Sequence, residues 1–178
     1  MVREVLVVTV CTANLCRSPF AEHFLRRCFL AAGFDVDVVS AGVAPSLGRT
    51  VPPDWRAIAA GFDLDLGEHV PGPVGPFVGS ASLVLTMTAA HARDLVVAYP
   101  ALVGRLAVLG DVAERLERTT PRAGTIAEVV APQRAIELLN GVSPNEVADP
   151  YRRRKDEQLA IAANLAGLCA RLVERWPG

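Results

Sequence analysis

One short run, Cys11-Thr12-Ala13-Asn14-Leu15-Cys16-Arg17-Ser18-Pro19, gathers the groups needed to move a phosphoryl group through sulfur. A cysteine at the end of a strand and beside a helix N-terminus favours the thiolate, the form that attacks phosphorus. Arg17 follows Cys11 after five residues, so its planar guanidinium can return over the same loop. It would present two parallel donors to the phosphoryl oxygens as charge shifts in the transition state. The backbone of Thr12, Ala13, Asn14, Leu15 and Cys16 is long enough to wrap its N–H groups around one phosphate as a nest. Ser18 can donate to the sulfur of Cys11. Asn14 tolerates the left-handed backbone that a tight anion loop needs.

A phosphoryl transfer of this kind also needs a general acid to protonate the leaving oxygen and later to activate water. Asp149-Pro150-Tyr151 is the candidate. Proline sets the turn after the aspartate, and Tyr151 can wall the pocket. An Asp-Pro pair alone is a common turn, and it gains meaning only beside the cysteine loop.

The elements that must hold these residues follow from the pattern of the chain. Residues 4–10 are β-branched and nearly continuous, as in a strand covered on both faces. A helix is expected from Ser18 to about Ala32, a second strand over 36–40, and a short helix from Trp55 to Ala60 capped by Asp54. Residues 64–79 carry several Gly and Pro and read as a loop. A third strand over 83–87, a helix over 89–99, a fourth strand over 103–109, a helix over 128–139 and a final helix over 153–176 complete the reading. Alternation of strands and helices predicts an α/β sandwich on a parallel sheet, as one domain over 1–178.

The 178 residues are 51% hydrophobic and 21% charged, with a formal net charge of -1. This is a globular composition with no electrostatic reason to expect nucleic acid. The basic run Arg152-Arg153-Arg154-Lys155 reads as a solvated helix start. No stretch reaches the length of a membrane span, and the apolar block after Arg3 is too short for a secretion signal. A cytoplasmic location is expected. The cysteines are Cys11, Cys16, Cys28 and Cys169, too few and too scattered for a disulfide framework or a zinc site. Cys28 and Cys169 read as small hydrophobes on helices.

The cysteine loop and the distant Asp149-Pro150-Tyr151 resemble the signature of the low-molecular-weight protein tyrosine phosphatases. Further similarity covers Ala21-Glu22, Ser40-Ala41-Gly42, Pro53-Asp54, His69, and Leu85 to Thr88 with His91. The resemblance implies a three-layer sandwich with a central four-stranded parallel sheet and the phosphate loop after the first strand. It also implies a cysteinyl-phosphate intermediate, no metal and no cofactor. The implied substrate is a phosphorylated protein or peptide, and the implied product is inorganic phosphate. Ser40 and His69 would brace Asn14, and Cys16 could form a reversible disulfide with Cys11. The chain departs from the family pattern at several places. Ala13 replaces a usual glycine, Val70-Pro71-Gly72-Pro73 follows His69, and the connection over about 111–146 is extended. No aromatic residue stands near Ser46-Leu47, and Arg152 follows Tyr151. The rival readings are a protein-arginine phosphatase of the same fold, an arsenate reductase and a non-catalytic phosphate-binding module. A bulky Leu15 favours a flat phenyl ring, and residues 80–148 lack the relay cysteines a reductase needs.

Overall fold

A computed structural model of the chain describes residues 5–118, 140 and 143–176. Strands β1 (Val5–Cys11), β2 (Val36–Gly42), β3 (Leu83–Thr86) and β4 (Leu106–Val108) form one parallel sheet in the order β2-β1-β3-β4. Helices α1 (Arg17–Ala31), α2 (Pro53–Ala60), α3 (Ala89–Ala98), α4 (Leu109–Arg118) and α5 (Lys155–Glu174) surround it. This is the expected three-layer α/β arrangement.

The apolar run of β1, interrupted only by Thr9, reflects its central place. Successive side chains point to opposite faces. Val7 and Cys11 join the core formed with α1, α2, α4 and α5, whereas Val8 and Val10 join the core under α3. Alternation thus aims Cys11 at the face where α1 begins. Thr9 lies on that face too, and its buried hydroxyl donates to the carbonyl of Ser18 at 2.9 Å. This bond fixes the first turn of α1 against the strand. Phe20 packs against Phe24, Trp55 and Phe62, which draws α2 onto α1. Burying an aromatic side chain of this kind stabilises the fold by about 2–3 kcal/mol.

Some elements differ from the sequence expectation. Asp54 is not the cap of α2. The helix starts at Pro53, with Pro52 as its N-cap and Asp54 in its first turn, because proline suits a position that needs no N–H donor. The fourth strand is shorter than 103–109, and α4 follows it with no intervening loop. The expected helix over 128–139 lies outside the described residues. Arg152 to Arg154 precede α5 and do not form its first turn.

Two contacts in the fold position the phosphate loop. A Cβ at Gly42 would stand 2.6 Å from the carbonyl oxygen of Thr12 and 3.1 Å from the backbone nitrogen of Asn14. Only glycine lets β2 pass this close. On the other side, the His91 ring bridges Thr12 and Thr88, with Nε2 2.8 Å from Thr12 Oγ1 and Nδ1 3.0 Å from Thr88 Oγ1. Thr88 also caps α3, accepting the backbone N–H of His91. Burial, aided by the Arg17 guanidinium, pushes the His91 pKa down to about 4.

Two outcomes follow from these contacts. Gly42→Ala should lower stability by about 1–3 kcal/mol, because the opposing atoms are backbone and must shift. An unchanged urea midpoint would contradict the close approach. The native His91 resists protonation, so between pH 6.5 and 4 the unfolded chain binds the proton first. Its contribution is full above pH 6.5 and is lost as pH falls toward 4, by about 3 kcal/mol in all. Urea titrations across that range should show a steeper loss for wild type than for His91→Asn. Parallel losses would remove His91 as the cause.

Candidate active site

The loop from Cys11 to Arg17 is held by its carbonyl groups. The Cys11 carbonyl accepts the N–H of Val43, that of Thr12 accepts Ala44, and that of Ala13 accepts Ser46, at 2.9–3.0 Å. His69 Nε2 lies 2.8 Å from the Asn14 carbonyl oxygen. The Cys16 carbonyl accepts from Phe20 N–H at 3.2 Å and from the Trp55 indole N–H at 3.1 Å. No acceptor among the described residues takes a hydrogen bond from the backbone N–H of Thr12 to Ser18. The loop therefore turns its carbonyls outward into the protein and leaves its amides for a ligand. A ring of such amides at a helix N-terminus suits an anion.

Asn14 makes that turn. Its φ is 53°, in the left-handed region that asparagine tolerates better than most residues. Ala13 is not among the residues with positive φ, so the alanine that replaces a usual glycine has no left-handed backbone to strain. The Asn14 side chain is fully buried, with relative exposure 0%. Its Nδ2 donates to Ser18 Oγ at 3.0 Å and to Ser40 Oγ at 2.9 Å. Its Oδ1 accepts the N–H of Gly72 at 2.9 Å. Thus the rebuilt Val70-Pro71-Gly72-Pro73 segment supplies a backbone donor to the loop.

Ser18 Oγ lies 3.0 Å from Cys11 Sγ and 3.3 Å from the Ala41 carbonyl oxygen. The hydroxyl already accepts from Asn14, and it has one proton to give. A thiolate at Cys11 can take that proton in a hydrogen bond. A thiol can donate instead, leaving the Ser18 proton to Ala41. Ser18 can therefore serve both charge states of the sulfur without moving. Cys16 behaves differently. Burial pushes its pKa up to about 12, with Cys11 and Asp149 adding to the rise, so it stays a neutral thiol.

Arg17 is 5% exposed, yet its Nε has no hydrogen-bond partner among the described residues. Its Nη1 donates to the Val147 carbonyl at 3.1 Å, and its Nη2 stands 3.2 Å from Asp149 Oδ2. A buried guanidinium N–H without an acceptor costs free energy unless a ligand supplies one. The strap that carries Asp149 is tied to the sheet and to α4. Val147 N–H donates to the Met87 carbonyl at 2.9 Å, and Glu146 accepts the N–H of Ala89 at 2.8 Å. Asn145 donates to Asp111 at 3.1 Å and to Glu114 at 2.5 Å. Asp149 itself remains 55% exposed, and its Oδ1 accepts Tyr151 N–H at 3.2 Å.

A cavity of about 200 Å³ opens over the sulfur. Cys11, Thr12, Ala13, Leu15, Cys16 and Arg17 line its floor and sides, and Ser46, Arg49, Asp149 and Tyr151 form its mouth. Arg152 has φ 60°, a left-handed geometry that costs an ordinary residue roughly 1–2 kcal/mol. Its guanidinium carbon lies 5.2 Å from the centre of the Tyr151 ring. The Arg152 and Arg49 guanidiniums hold the Tyr151 hydroxyl pKa below its ordinary value of 10.0. Of the sequence candidates, Cys11, Thr12, Ala13, Leu15, Cys16, Arg17, Asp149 and Tyr151 line one cavity, whereas Asn14 and Ser18 are buried and do not line it, and Ser40 and His69 hydrogen-bond to Asn14. Sequence reasoning quoted Gly42 and His91 within the family resemblance but gave them no role, and it missed the parts played by Thr9, Trp55 and Arg49. Among the described residues, no group of three His, Cys, Asp or Glu side chains is placed to hold a metal ion, and no helix is long and apolar enough to cross a membrane.

The chain is similar in sequence and in fold to known proteins. The family model described as low molecular weight phosphotyrosine protein phosphatase matches residues 6–122. A probable low molecular weight protein-tyrosine-phosphatase, EpsP, of Ralstonia solanacearum is 32% identical over 113 residues, 63% of this chain and 74% of that protein. A protein-arginine-phosphatase of Bacillus subtilis is 39% identical over 88 residues, 48% of this chain and 57% of that protein. The crystal structure of a low molecular weight protein tyrosine phosphatase from T. tengcongensis matches with a TM-score of 0.74 at 25% identity, covering 96% of this chain and 99% of that one. By loop, sheet order and sequence, the chain belongs to the low-molecular-weight phosphotyrosine protein phosphatase family.

Proposed function

We propose that the chain hydrolyses phosphotyrosine in proteins through a phosphocysteine at Cys11. The observation that carries this reading is the set of unpaired N–H groups around the sulfur: the amides of Thr12 to Ser18 and the buried Arg17 Nε. Oxyanions of a phosphoryl group satisfy both. The Cys11 thiolate attacks phosphorus in line, the S–P bond forms, and the bond to the phenolic oxygen breaks. Asp149 gives its proton to that oxygen. Water then attacks the phosphocysteine, Asp149 takes its proton, and the S–P bond breaks to release inorganic phosphate and the thiolate. Arg17 holds two phosphoryl oxygens throughout, and the fixed amides stabilise the charge without reorganising. Ser40 and His69 act as positioning residues through Asn14.

Phosphotyrosine suits the walls of this cavity. Leu15 and Tyr151 both line the cavity, and their apolar surface can pack against a phenyl ring. Leu15 offers no hydroxyl to the guanidinium of a phosphoarginine, which would leave polar N–H groups without partners at that wall. The second reading, hydrolysis of phosphoarginine, is favoured by similarity to the Bacillus subtilis protein over 88 residues. A substrate protein reached from solvent, in the cytoplasm, fits the open mouth of the pocket.

Turnover of p-nitrophenyl phosphate should be abolished in Cys11→Ser, and equal rates in the two proteins would end the enzyme reading. Asp149→Ala should lower kcat by roughly 10²-fold or more for poor leaving groups, and less for good ones. A rate unchanged across leaving groups would remove Asp149 from the mechanism. The kcat/KM on phosphotyrosine peptides should exceed that on phosphoarginine peptides, and the reverse order would exchange the two readings.

A further inference from the structure

We propose that Arg49 and Arg152 form a cationic rim on the catalytic pocket that selects phosphorylated residues flanked by acidic side chains. The proposal rests on the phosphatase reading above and adds the class of substrate. It starts from the backbone at Arg152. This residue sits at φ 60°, a geometry that glycine or asparagine adopts with less strain. Strain of this kind next to Tyr151, which lines both the catalytic pocket and the adjoining cavity, is a reason to look for function there. Here the left-handed residue closes a tight turn, with Arg153 N–H donating to the Pro150 carbonyl at 3.2 Å. The turn folds the Arg152 guanidinium back over the Tyr151 ring.

Arg49 reaches the same tyrosine from another element. It lies between β2 and α2, where its N–H donates to the Ser46 carbonyl at 3.1 Å, and it lines the pocket with Ser46 and Tyr151. The lowered pKa of the Tyr151 hydroxyl reports both guanidiniums beside it. Three of the surrounding carboxylates are otherwise engaged. Asp149 pairs with Arg17, Glu157 with Arg153, and Asp156 with Arg154. Asp54 and Arg152 both line the adjoining cavity of about 230 Å³, which shares Tyr151 with the first, but they form no ion pair. Among the described residues, neither Arg49 nor Arg152 has a carboxylate within ion-pair distance. Two uncompensated cations therefore flank the tyrosine that walls the pocket.

A peptide whose phosphorylated residue enters this pocket carries its neighbouring side chains across that rim. Carboxylates there gain two opposite charges, whereas lysine or arginine meets two like charges. Exposed pairs are individually weak, so the combined preference should be about fivefold in kcat/KM for acidic over neutral flanks. Because the charges are exposed, raised salt should shrink the preference.

The experiment compares one phosphotyrosine peptide frame carrying glutamate, glutamine or lysine beside the phosphorylated residue. Wild type is compared with Arg49→Gln, Arg152→Asn and the double variant. Asparagine tolerates the left-handed backbone, so Arg152→Asn removes the charge and keeps the turn. The readout is the ratio of kcat/KM between peptides, which a loss of folded protein cannot change. We expect glutamate to exceed glutamine and lysine to fall below it in wild type, with the ratios moving to about one in the double variant. Equal ratios in wild type overturn the proposal. A lysine preference, or an acidic preference that survives both substitutions, also overturns it. Wild type that turns over neither these peptides nor p-nitrophenyl phosphate would instead overturn the phosphatase reading, and the rim with it.

Discussion

Everything at this site depends on the polarity of one loop, whose carbonyls face the protein and whose amides face the cavity. Protein backbone normally pairs its donors and acceptors together. Here the acceptors of residues 11–14 and 16 are paired with the segment after β2, with His69 and with Trp55, while the donors of Thr12 to Ser18 are not. The fold thus concentrates unpaired N–H groups above the sulfur. An oxyanion relieves that frustration better than neutral water does, since hydrogen bonds to charged acceptors are the stronger ones.

Asn14 connects this polarity to the rest of the molecule. Its left-handed backbone reverses the loop, and its buried amide ties Ser18, Ser40 and Gly72 to one side chain. Ser18 in turn reaches the sulfur, so the state of Cys11 is coupled to β2 through a single hydroxyl. The strap from Asn145 to Asp149 performs a similar task for the acid. It borrows the Met87 carbonyl just after β3 and the first turns of α3 and α4, then delivers Val147 and Asp149 to the two terminal nitrogens of the same guanidinium. Arg17 therefore serves as the joint between the loop and the strap.

Much of this was legible in the order of the residues because it is local. Strand-then-helix punctuation, the spacing from Cys11 to Arg17, and asparagine as the residue able to turn left-handed all belong to a stretch that reads by itself. The Asp149 turn required the cysteine loop to give it meaning, since Asp-Pro alone is ordinary. What escaped was tertiary. Gly42 matters because another strand's loop passes 2.6 Å from its missing Cβ, which no local pattern records. Helix α4 begins directly at the end of β4, so no loop marks its start, and its second residue must be glycine because a Cβ at Gly110 would stand 2.0 Å from the Asn145 carbonyl oxygen. The basic run at 152–155 looked like a solvated helix start. Its members instead divide, with Arg153 and Arg154 pairing to acids of α5 and Arg152 turning onto Tyr151.

The most direct test is to trap the covalent species. Asp149→Ala mixed with p-nitrophenyl phosphate and quenched by denaturant within one turnover should carry one phosphoryl group, and fragmentation by mass spectrometry should place it on Cys11. A phosphoryl group on any other residue, or turnover that proceeds with no labelled protein at any time, would contradict a sulfur nucleophile on the floor of the amide ring.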